Sequence, residues 1–175
     1  MTDMNHGKPF GLRDVKITDI LGTQQVDLPA GQTLTVKPRF STGEMMGDDG
    51  IRSVVSYIIG ADWNLESGGI PFAALAIMMG GEATLGGESP NQTMSLKMEA
   101  GQVMPYFKIY GQAIAEDGDD VHAKLFKCKL TSPPEGSMQG ENFFIEKCAG
   151  VALDDGTNGV IEFVHNETKT SLPTS

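Results

Sequence analysis

The stretch IRSVVSYIIGADWNLE, residues 51–66, decides the fold class. Its apolar residues recur at every second position, with Val55, Tyr57, Ile59, Ala61, Trp63 and Leu65 on one face. The other face carries Arg52, Ser56, Asp62, Asn64 and Glu66 beside Val54, Ile58 and Gly60. A period of two is that of a β-strand whose side chains alternate between core and solvent. The run is far longer than the usual strand of about 5–6 residues, so it suits a large barrel or an extended hairpin. On this alternation Tyr57, Trp63 and Leu65 are core anchors, and Arg52, Asp62 and Glu66 point away from the core.

Upstream, residues 41–50 (STGEMMGDDG) are polar and glycine-rich around Met45 and Met46. They read as a long loop with an apolar centre, a kind of loop that docks onto something. Glu44, Met45, Met46, Asp48 and Asp49 are its candidate contact residues. Before it, Leu34, Val36, Pro38 and Phe40 share a face opposite Thr33, Thr35, Lys37 and Arg39, and Pro38 assigns this strand to an edge or a bulge. Residues 12–20 form a half-buried strand with Val15 and Ile17 inward, and residues 24–28 a weaker one.

Downstream, Pro71 and the pair Gly80-Gly81 punctuate a short helix. Residues 82–90 read as a glycine-rich loop, and Met94, Leu96 and Met98 as the core face of a strand. Residues 103–115 and 121–132 are two strands joined by an acidic turn containing an Asp-Gly pair, the pattern of a hairpin, ended by Pro133-Pro134. Residues 142–153 and 160–164 close the set. The expectation is one mainly β domain over residues 12–164, a sandwich or barrel with one flanking helix. Residues 1–11 and 165–175 show no period and read as arms, disordered unless tied down.

The chain has 175 residues, 13 Lys and Arg against 23 Asp and Glu, and a formal charge of −10. That field repels polyanions and argues against sequence-specific DNA binding. Residues 1–10 lack the apolar stretch of a signal peptide, and the most apolar run, 70–79, is about half a membrane span. Catalysis is not expected: the histidines are His6, His122 and His165, two of them in or beside the arms, and His122 reads as exposed. No nucleophile elbow, phosphate loop, dinucleotide fingerprint or zinc spacing occurs, and neither a metal nor a cofactor is expected. The acidic turn at Asp117-Gly118-Asp119-Asp120 lacks an EF-hand pattern and reads as solvated. Cys128 and Cys148 read as buried thiols, with a disulfide between them left open.

The order of elements resembles the tail tube proteins (major tail proteins) of long-tailed, non-contractile bacteriophages. The resemblance lies in a strand before a long loop, a very long strand with Trp63 and Leu65, and a helix ending in Gly80-Gly81. It continues with residues 107–111, an acidic turn, residues 125–130, and a closing strand with Lys147 and Ala149-Gly150-Val151. Phe107 joins the core anchors on this basis. The resemblance implies a β-sandwich, one sheet of which contributes to an oligomeric β-barrel tube, in six-membered rings that stack. It implies a virion protein of the tail, assembled in the host cytoplasm, whose partners are itself, a tape-measure protein and tail terminator or tip proteins, with transient passage of double-stranded DNA. It makes residues 41–50 an inter-ring loop and Lys37, Arg39, Arg52, Asp62 and Glu66 candidates for the lumen, expected to be net acidic so that DNA slides. The alternative is a non-enzymatic β-sandwich binding or virion decoration module.

Overall fold

The computed structural model describes residues 9–115, 118–136 and 146–173. The parts of the expected arms, acidic turn and closing strand at 1–8, 116–117, 142–145 and 174–175 lie outside these residues. In chain order the elements are β1 (Pro9–Asp19), β2 (Gln25–Asp27), β3 (Gly31–Gly47), β4 (Gly50–Ser67), α1 (Phe72–Met79) and β5 (Glu82–Gly86). They continue with β6 (Thr93–Lys97), β7 (Phe107–Ala115), β8 (Asp120–Gly136), β9 (Glu146–Ala152) and β10 (Ile161–Asn166).

The order of hydrogen-bonded strands is β2-β1-β7-β8-β9-β4-β3, with β10 also on β8. All these neighbours are antiparallel. Strand β8 belongs to both layers of the sandwich. Its first half pairs with β7 on one edge and β10 on the other, and its second half pairs with β9. The layer β2-β1-β7-β8 folds over the layer β8-β9-β4-β3, which brings Val15 against Gly31 and Leu34 against Gly111.

The core between the layers holds Val15, Ile17, Trp63, Leu65, Phe107, Ile109, Leu125, Cys128 and Cys148. Trp63 meets Phe107 edge-on at 5.7 Å between ring centroids. The indole sits against β9 at Gly150, where an added Cβ would collide with Trp63 and with the Lys129 carbonyl, so only glycine fits. Both cysteines are free, and burial pushes the Cys148 thiol up to about 12. Helix α1 begins after Pro71, ends at Gly80 with φ 71°, and buries Ala74, Leu75, Ile77 and Met78 against the open side of the sandwich. No described helix is long and apolar enough to cross a membrane.

Several expectations are corrected. Residues 41–50 are no loop: 41–47 continue β3, paired with β4 around a turn at Asp48 and Asp49. Together β3 and β4 form a two-stranded arm projecting from the body, and this satisfies the backbone of a polar segment that a loop would leave to water. Tyr57 is no core anchor, being 58% exposed. Arg39 faces Gly60 but Phe40 faces Ile58, so Ile59 is one residue extra, and this bulge moves Tyr57 and Val55 off the face that Trp63 occupies. Residues 82–86 are a strand, β5, whose hairpin with β6 leaves Met94 and Met98 exposed while Leu96 packs on the core. Strand β8 runs on past Pro133 and Pro134, which sit at shifts of register where no ladder amide is required.

Both arms are also shorter than expected. Residues 9–11 open β1. Residues 165–166 end β10, and the chain beyond it lies as a strap across the outer face of the layer β2-β1-β7-β8-β10. Asp14, Gln112, His122 and Val164 are cross-strand partners in one row there. The Thr170 N–H donates to Asp120 Oδ2 at 2.8 Å, its carbonyl accepts from Gln112 Nε2 at 2.7 Å, and Leu172 is 2% exposed. Farther on, Gln25 Nε2 donates to the Pro173 carbonyl. His122, expected to be exposed, is therefore buried, with Nε2 3.0 Å from Asp120 Oδ2 and 3.2 Å from the Thr170 carbonyl. Asp120 is likewise buried, where a solvated turn was expected.

Burial alone would raise the Asp120 pKa. The Thr170 N–H, Asn166, Gln112 and His122 outweigh it and hold the carboxyl at about 2, against an ordinary 3.8. A group depressed on folding contributes stability above its unfolded value and loses that contribution as pH falls through its folded value. Acidification from about pH 4 to about pH 2 is therefore expected to release the strap. The Thr170 amide resonance, followed by NMR, reports this directly; a resonance unmoved down to pH 2 would contradict the assignment.

Candidate functional site

Two features of the molecule present surface that no other described residue covers. The first is the arm. Among the described residues, 50–60 of β4 pair only with β3, and its apolar side chains are exposed on both faces. Phe40 faces Ile58 on one side, with Val54 farther out; Tyr57, Val55 and Met45 lie on the other. Each is between 55% and 61% exposed. Thr42 and Ser56, opposite each other, share a hydrogen bond of 3.1 Å, which fixes which residues lie on a common face. A two-stranded ribbon is marginal on its own, and so large an apolar surface is characteristic of an interface.

The second feature is a pair of unpaired sheet edges. Strand β3 is the last in the order and, among the described residues, carries no neighbour on its outer side. Among the described residues, strand β8 from Lys129 onward pairs with β9 alone, because β7 leaves it at Cys128. The four-stranded layer β3-β4-β9-β8 thus ends at both sides in backbone N–H and C=O groups free to pair.

The outer face of this layer is polar and consists of three cross-strand rows. Lys37, Asp62, Val151 and Lys129 form the first; Thr35, Asn64, Ala149 and Ser132 the second; Thr33, Glu66, Lys147 and Glu135 the third. The sequence candidates Lys37, Arg39, Asp62 and Glu66 are gathered on this face. Arg39 is bidentate to Asp62, at 2.5 and 2.8 Å, and Lys147 meets Glu66 at 2.9 Å. The hydrogen bond from Arg39 holds the Asp62 carboxyl below its ordinary value. Arg52 is not part of the face. It is the extra residue of a second bulge near the arm tip, and its side chain covers Gly47.

The face is not acidic, as was expected of it. Lys37, Arg39, Lys129 and Lys147 stand against Asp62, Glu66 and Glu135, so the acidity of the chain sits elsewhere. Glu44, Asp48 and Asp49 carry part of it on the arm, and Asp154 and Asp155 part in the loop before β10. Asp155 is held at about 2 by the N–H groups of Asn158 and Thr157 and by the Asn158 side chain. Trp63, Leu65 and Phe107 are core anchors as expected, at 1%, 0% and 0% exposure. Sequence reading missed Phe40 and Ile58 as arm contacts, and it missed Tyr106 with Lys127 and Lys129. Both ammonium groups lie over the Tyr106 ring, 5.3 and 4.8 Å from its centroid. The alternation of Lys127, Lys129 and buried Cys128 was visible, but the position of Tyr106, before β7, was not.

No family model matches the chain, and no curated protein does. Among solved structures, the cryo-EM structure of the anti-feeding prophage cap, described as the AFP tube terminating cap, matches 93% of this chain and 95% of its own, with a TM-score of 0.50 and 14% identity. The chain therefore shares the fold of that cap protein.

Proposed function

We propose that this chain is a structural, non-catalytic subunit of a phage-type tail tube that works by assembling with copies of itself. The observation that carries the reading is the layer β3-β4-β9-β8, both of whose edges are unpaired among the described residues. Its strands alternate in direction, so β3 of one copy laid beside residues 129–136 of β8 in the next continues the antiparallel order without interruption. Such a contact joins two different surfaces head to tail, and repetition closes a ring if the rotation per copy allows it. Rings of six are what the tail tube resemblance implies. The polar rows would then line the bore, and the arm would reach a neighbouring ring, where its apolar faces find cover. A near-neutral bore offers DNA few excess cations to bind. The tape-measure and terminator or tip proteins follow as partners from the same reading, and the tail as its place.

A second reading is a tube cap rather than a repeating tube subunit, favoured by the fold shared with a tube terminating cap. On this reading the chain would end a tube and would not stack on copies of itself. Negative-stain electron microscopy of the purified chain across a range of concentrations tests both. Stacked rings or tubes are the expected result, and single rings favour the cap. Monomers at every concentration would overturn self-assembly and leave a binding module.

A further inference from the structure

Resting on the self-assembly reading, we propose that the Lys127–Tyr106–Lys129 cluster is the receptor for the acidic arm tip of a second copy of this chain. Lys127 and Lys129 share one aromatic ring, and among the described residues neither has a carboxylate within ion-pair distance. What sets these two lysines apart is that they share one ring and stand on one face of β8. Two ammonium groups on one ring repel each other, so an anion settling beside them gains from both and relieves the repulsion. The cluster also adjoins the edge of β8 at Lys129 that is unpaired among the described residues, on the face where Arg39 already has Asp62.

The complementary charge lies on the arm. Glu44, Asp48 and Asp49 are exposed, and none has a cationic partner among the described residues; Arg52 leaves this tip two charges negative. Within one chain the two groups do not meet. Lys129 shares a row with Asp62, and from Asp62 to Asp49 the ribbon extends about 40 Å at the rise of a β-strand. A second copy supplies the missing partner: its tip carboxylates would sit against the lysines, with Met45 and Met46 beside the Tyr106 ring. Charge of this kind sets register and partner choice more than bulk affinity.

The test is a charge exchange in the full chain. Lys127→Glu with Lys129→Glu, and separately Asp48→Lys with Asp49→Lys, are each expected to raise the critical concentration for assembly about tenfold or more, since like charges then face each other. Combining all four restores the attraction with its sign reversed and is expected to recover assembly to within about threefold of the native chain. Native assembly by either double variant, or failure of a folded quadruple variant to recover, would overturn the inference. A second measurement does not depend on polymer formation. Mixing Asp49→Cys chains with Lys129→Cys chains is expected to give a disulfide-linked heterodimer that neither gives alone. If the native chain stays monomeric but this heterodimer forms, the self-assembly reading fails and the contact stands; if the native chain assembles and no heterodimer forms, the contact fails alone.

Discussion

Removing residues 42–56 and joining Ser41 to Tyr57 through an Asn-Gly turn is expected to leave a folded monomer that no longer assembles. Ser41 and Tyr57 already face each other across the arm, so a two-residue turn of the kind that closes tight hairpins bridges them without disturbing the register toward the body. None of the core residues lies in the deleted segment. The deleted side chains are exposed, and exposed positions change unfolding free energy by about 0.5 kcal/mol or less each. Assembly should respond quite differently, because the deletion takes away Val54, Val55 and Met45 together with the acidic tip. Urea unfolding followed by circular dichroism measures the first effect and sedimentation the second. A shortened chain that does not fold would mean that the arm supports the body, and one that still forms tubes would remove the arm from the assembly surface.

Trp63→Ala is expected to lower the unfolding free energy by about 3–5 kcal/mol, while Tyr57→Ala on the same strand changes it by about 0.5 kcal/mol or less. The two residues sit six apart and would be equivalent under strict alternation. Trp63 is 1% exposed, fills the space between the layers and packs on Phe107 and Gly150, so truncation leaves a cavity that rigid strands cannot collapse. Its Nε1 is buried and has no acceptor among the described residues, so the loss is one of packing and not of a hydrogen bond. Tyr57 stands on the arm. Equal losses at both positions would show that the bulge at Ile59 does not divide the strand into a core part and a projecting part.

Much of the fold is legible in the sequence because local chemistry and tertiary burial agree there. Val15 and Ile17, Leu34 and Val36, and Trp63 and Leu65 alternate as half-buried strands must, and Pro71 and Gly80 punctuate a helix in the usual way. What was misread has physical reasons. A single inserted residue, Ile59, reverses the side chains of β4 between it and the second bulge at Arg52, and nothing in an all-apolar run such as Tyr57-Ile58-Ile59 marks which residue is extra. Glu44, Met45 and Gly47 have weak strand propensity, so pairing with β4 decides their conformation where composition pointed to a loop. The strap was invisible because Thr170 and Asp120 are fifty positions apart and only Leu172 is apolar enough to signal burial. The proposed assembly surface was legible as a tendency, in Met45 and Met46. The cluster proposed to receive it was not, since Tyr106 precedes β7 and reaches Lys127 and Lys129 only through the pairing of β7 with β8.

Strand β8 gives up one edge to β7 and the other first to β10 and then to β9, so each layer of the sandwich borrows the same stretch of backbone. A protein whose layers were joined only by loops could shed one and keep the other as a partly opened form. Here there is no seam to part along: losing either layer strips β8 of a ladder and exposes the Trp63–Phe107 contact between them. The body should therefore exchange its slowest amide protons, those of β8 and its partners, only through complete unfolding, as a single cooperative unit. Opening at lower cost should be confined to the arm, the hairpin β5–β6 and the strap.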